Sequence, residues 1–155
     1  MSDRPLQDPD RRNDRKGIWP TFKRGFIDYH RGLGRMPWKW KPWLLTLLAG
    51  NMIVPLFYAT QLEAQVVFGV AILNGLVFSM ITGLTGFSRL LGLGHLPWIP
   101  LIVFLVLRLE HHQAGDFYGV WLRVLIVINT GSVLLDTANV IRYLRGDREP
   151  MIPPA

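Results

Sequence analysis

Residues 43–135 carry only three basic side chains, Arg89, Arg108 and Arg123, although the chain holds 17 Lys and Arg in its 155 residues. A run of about ninety mostly apolar residues is too much for the single core of one small water-soluble domain. Lipid is the solvent that suits it: half of the chain is hydrophobic, and mean hydropathy is positive (+0.23) in spite of a polar start.

A bilayer-crossing helix needs roughly 20 apolar residues, with about 17 as the lower limit. Four segments meet or approach that length: 43–60, 64–83, 90–109 and 118–136. The third is the shortest in uninterrupted apolar sequence. It reaches full length only by including the "LLGLGHLP" that precedes it, so three spans and a re-entrant segment form the alternative. Before the spans, residues 1–17 are rich in Pro, Asp and Arg, which argues against a secretory signal peptide and predicts a disordered cytoplasmic tail. Residues 144–155 are expected to form a second cytoplasmic tail.

Orientation follows from the basic residues. The first 42 residues hold 11 Lys and Arg against five acids, which places them in the cytoplasm. The connection at 61–63 has no basic residue and is expected outside. Arg89 returns the next turn to the inside, "LEHHQAGD" lies outside again, and "RYLRGDR" ends inside.

Residues 18–42 join tail to membrane. Trp19, Phe22, Phe26, Tyr29 and Leu33 recur at steps of three and four, an aromatic stripe along one helical face, with Lys23, Arg24 and Arg31 off it. Such a helix lies in the headgroup plane, with Pro20 in its first turn and Gly32 and Gly34 near its end. Trp38, Trp40 and Trp43 then alternate with Lys39 and Lys41 as an interfacial belt. Anionic lipid accounts for these basic residues, and nucleic acid is not needed to explain them.

Three spans each carry an asparagine near the middle: Asn51, Asn74 and Asn129. An amide in hydrocarbon must find a partner, so these residues predict interhelical hydrogen bonds or a polar path at the midplane. Asn129, Ser132, Asp136, Asn139 and Tyr143 form a polar stripe along the fourth span, with Arg89 expected as the partner of Asp136. In the second span Ala71, Gly75, Ser79 and Gly83 recur every four residues, a ridge that lets another helix approach closely. The glycines and prolines between 83 and 100 read as helix punctuation. The Lys-Ser/Thr pair of a phosphate-binding loop is missing there, and His95 is expected to have no special role.

The outer hairpin "RLEHHQAGD" sets Arg108 and Arg123 near Glu110, Asp116 and Glu63, which predicts a compact ion-pair cluster at that interface. His111 and His112 are adjacent, so on a helix they would diverge by about 100°, unlike the i, i+4 pair of a zinc helix. They are weak metal candidates, and no metal is expected. Neither a bis-histidine haem nor a lysine Schiff base fits: His95 is expected on the side opposite the pair, and all four lysines precede the first span. The chain has no cysteine, and no G-x-S-x-G or H-E-x-x-H motif.

The sequence thus reads as an all-α membrane protein, four transmembrane helices preceded by an interfacial amphipathic helix, in a bacterial-type cytoplasmic (inner) membrane. The expected role is non-enzymatic and without a cofactor: an accessory or assembly subunit that joins copies of itself or other membrane subunits. A small oligomeric transporter or channel is the alternative, and a membrane enzyme or metal site at the outer hairpin stands third.

Overall fold

A computed structural model describes residues 17–147, and among these the secondary structure is entirely helical. The expected tail at 1–17 lies outside the described residues except for Gly17, as does the end of the second tail beyond Asp147. Helix α1 (Ile18–Arg35) begins after Gly17, where the Thr21 hydroxyl donates to the Gly17 carbonyl (2.9 Å). It stops at Met36, whose extended backbone is the conformation imposed on a residue before proline, here Pro37.

A short 3₁₀ turn (Trp38–Trp40) leads into α2 (Lys41–Leu48), a π-helical turn (Ala49–Ile53) and α3 (Val54–Phe57). Pro55 explains the π turn. A proline has no N–H for the carbonyl four residues back, and its ring crowds that carbonyl, so the ladder loosens just before it. The Trp121 indole donates to the Gly50 carbonyl within this turn (3.2 Å).

Helix α4 (Leu62–Thr85) ends at Gly86, whose φ of +72° suits glycine. A 3₁₀ run (Arg89–His95) continues into α5 (Trp98–Arg108) and a further 3₁₀ turn (Leu109–His111). Helix α6 (Phe117–Leu144) is capped by the Asp116 carboxylate on the Gly119 N–H and closes at Gly146, with φ +101°.

Three of these runs are long and apolar enough to cross a membrane: Leu62–Thr85, Arg89–His111 and Phe117–Leu144, of 24, 23 and 28 residues. This is a membrane-embedded protein. Their inner faces make the core, where Ala64 and Val67 of α4 meet Trp98, Leu101 and Leu105 of α5 and Tyr118, Trp121, Leu122 and Leu125 of α6. Their outer faces leave Leu73, Val103, Leu107, Val124 and Val127 exposed, an apolar surface suited to lipid.

The third expected span therefore includes the glycine-rich segment as a 3₁₀ run joined to α5 through a turn at 96–97, and the fourth extends eight residues past its expected end. The first expected span, 43–60, is broken by its π turn, and its helical structure ends at Phe57.

Candidate functional site

Polar side chains gather at three levels of the bundle. At the start of α4, Glu63 is only 1% exposed. Its Oε1 accepts from Arg108 Nε at 2.7 Å, and its Oε2 accepts from the Tyr118 hydroxyl at 3.2 Å. His112 Nε2 stands 3.2 Å from Oε1 without an aligned hydrogen bond, and its ring meets Tyr118 edge-on, centroids 5.0 Å apart. One carboxylate thus ties α4 to α5, to the hairpin and to α6.

The expected five-member ion-pair cluster is smaller than its charges suggested. Glu110 points outward and, among the described residues, reaches only His111, at 3.8 Å. Asp116 is taken by the cap of α6, because its short side chain reaches the N–H three residues on. Arg123 binds the carbonyls of Gly119 (2.9 Å) and His112 (3.2 Å). His111 and His112 part company, and among the described residues no group of three or more His, Cys, Asp or Glu could hold a metal ion.

Removing Arg108 leaves Glu63 buried beside His112 and Tyr118 alone. Arg108→Leu is expected to lower stability by about 1–2 kcal/mol, below the range for fully buried pairs because the arginine side chain is 40% exposed. Glu63→Gln/Arg108→Leu should recover part of the loss, as read by denaturant unfolding in micelles.

In the middle, Asn51 and Asn129 bind each other reciprocally: each Nδ2 donates to the other's Oδ1 at 3.0 Å, and both residues are buried. The π turn presents Asn51 to α6, while its second amide proton goes to the Leu47 carbonyl (3.0 Å). Asn74 is not part of this pair. Oriented so that donors meet acceptors, its amide donates to the Gly94 carbonyl (3.2 Å) and accepts from the Trp98 indole.

Toward the far end of α4, His95 Nδ1 pairs with Asp136 Oδ2. The imidazole packs between Phe78 (4.7 Å) and Trp98 (4.0 Å). This corrects the expectation that Arg89 partners Asp136: Arg89 pairs instead with Asp147 (3.1 Å), beyond the turn at Gly146. Gly92 makes the His95 contact possible, since a Cβ there would press on the Asp136 carbonyl and Cβ. Tyr29 of α1 stacks on Phe78 (5.2 Å). Burial, helped by the nearby Asp136 charge, pushes its hydroxyl up to about 12, so it stays protonated. Ser132 is buried with its hydroxyl unpartnered among the described residues, and Asn139 is half-buried.

The small-residue ridge divides. Gly25 of α1 packs on the Ser79 carbonyl and the Gly83 backbone, and Gly83 abuts Thr21. Arg24 Nη2 adds a bond to the Gly83 carbonyl at 2.9 Å. Gly75 faces open space, and Ala71 is half-buried. Because α1 seats itself through glycines, Trp19 and Phe26 of its aromatic stripe stay exposed and Phe22 is half-buried, while Tyr29 turns inward onto Phe78. Trp38 and Trp40 are exposed and Trp43 is half-buried.

His95, expected to have no special role, instead pairs with Asp136, and Tyr118, Trp98 and Gly25 were not singled out by sequence. Only the polar stripe of α6 pointed toward His95, by requiring some partner for Asp136. Comparison with family models, curated proteins and solved structures finds no match.

Proposed function

We propose that the chain is a non-enzymatic accessory or assembly subunit of a membrane complex. In this reading it sits in a bacterial-type inner membrane, with both termini cytoplasmic and α1 as an interfacial collar. The fourth crossing is the run 41–57, whose eight, five and four residues together just reach the lower length limit.

The observation that carries the reading is the reciprocal Asn51–Asn129 pair. A polar path at the midplane needs amides free to meet a solute, and these amides are committed to each other. Glu63 and Asp136 are likewise bound by side chains of the same chain. Polar groups used this way hold helices together.

Association then falls to the free half of the ridge, Ala71 and Gly75. Gly75→Leu is expected to abolish assembly by native mass spectrometry, while Asp136→Asn leaves assembly intact. Ser79→Leu, on the same ridge, adds bulk beside the chain's own α1 and is the less specific probe. The transporter reading predicts the opposite pattern: Asp136→Asn would eliminate flux in proteoliposomes and assembly would survive. That result would replace the subunit reading.

A further inference from the structure

Between α1 and α4 lies an open groove of about 400 Å³, lined by Phe22, Lys23, Phe26, Ile27 and Leu76. Its volume falls within the range of small-molecule sites, about 300–1,000 Å³. The walls are almost wholly apolar, with Lys23 contributing its carbon stem, and the Lys23 ammonium lies 5.5 Å from the centroid of the Trp19 ring. We propose that this groove binds one anionic phospholipid, an acyl chain lying between Phe22, Phe26, Ile27 and Leu76 and the phosphate meeting Lys23.

Three observations favour that occupant. The groove exists because Gly25 and Gly32 take α1 onto α4 and Phe87, which leaves Phe26 and Ile27 half-covered at its mouth. An apolar wall with a lysine beside an aromatic ring matches the two halves of a phospholipid, hydrocarbon below and phosphate above. Charge argues against a second copy: α1 carries Lys23, Arg24, Arg31 and Arg35 against Asp28 alone, so two such helices would repel while an anionic headgroup is attracted.

The inference rests on the membrane placement of the chain, and the test separates the two. Alkaline carbonate washing of host membranes comes first; release of the chain by that wash would overturn both. With the chain retained, the full-length protein in mild detergent is offered phosphatidylglycerol or phosphatidylcholine, and bound lipid is counted by native mass spectrometry.

The expected result is one phosphatidylglycerol per chain, retained about fivefold over phosphatidylcholine, the ratio that a single lysine near an anionic lipid supplies. Leu76→Trp, which fills the groove, should remove the bound lipid. Lys23→Gln, at an exposed position that should not affect folding, should erase the headgroup preference, and Lys23→Arg should keep it. Equal retention of both lipids, unchanged by Lys23→Gln, would mean that only bulk lipid clings there and would overturn the site. A lipid-free dimer dissociated by Leu76→Trp would overturn it in favour of a second copy.

Discussion

Asn129→Leu alone should destabilise the protein by about 2 kcal/mol, and Asn51→Leu/Asn129→Leu should recover most of that loss. The single change leaves the Asn51 carbonyl oxygen without its donor and one of its amide protons without an acceptor, at a position only 2% exposed. A buried polar group left unpaired costs about 1–3 kcal/mol, and interhelical hydrogen bonds in membranes contribute about 0.6–2 kcal/mol. The double change replaces two amides by two apolar groups of similar size. The Leu47 carbonyl loses its extra bond in the double variant, but it keeps its place beside the helix ladder. Unfolding of all four forms of this cycle in mixed micelles gives the coupling energy directly. Loss of stability in the double variant equal to the sum of the two singles would mean that the amides act independently, each through contacts other than the pair.

Hydropathy and charge made the helical, membrane-embedded class legible, because an apolar run of this length leaves few other solutions. The ends of the long helices were legible less well. A hydropathy window stops where charge begins, whereas α6 continues past Asp136, whose carboxylate pairs with His95. In the first apolar run the local geometry is what stayed hidden. Its composition is that of a span, but Pro55 opens the ladder into a π turn, and no count of apolar residues registers a missing N–H. Pairings between distant residues were the least legible. The spacing of the three asparagines in their spans predicted partners at similar depth, and two of them met. Asn74 went to a backbone carbonyl and an indole, groups that every sequence offers in abundance. His95 and Asp136 are 41 positions apart, and nothing local marks them as neighbours. The five-charge cluster expected at the hairpin shrank to the Glu63–Arg108 pair because backbone groups compete for charges: the cap of α6 took Asp116, and two carbonyls took Arg123.

Gly25→Leu is expected to release α1 from α4 altogether, the largest structural effect of any single change in the described chain. A side chain at residue 25 would run into the Ser79 carbonyl and the backbone of Gly83, and backbone in the middle of a helix cannot step aside as a flexible side-chain tip can. Overpacking in a close contact costs about 1–3 kcal/mol when neighbours can shift, and more when they cannot. Three further contacts depend on this seat: the Arg24 bond to the Gly83 carbonyl, the stacking of Tyr29 on Phe78, and the fit of Gly32 against Phe87. Once α1 lifts, Tyr29 loses the burial that holds its hydroxyl near 12. Its titration, followed by ultraviolet absorbance, should then fall toward the ordinary tyrosine value of about 10. Trypsin supplies a second readout, because Lys23 and Arg24 become cleavable in vesicles that protect the rest of the bundle. The three long helices keep their own core, so far-ultraviolet helicity should change little. A Gly25→Leu protein with an unchanged cleavage pattern and an unshifted tyrosine would show that α1 is held by lipid through its aromatic stripe. The contact with Ser79 and Gly83 would then be incidental, and those two residues would return to the pool of surfaces open to another helix.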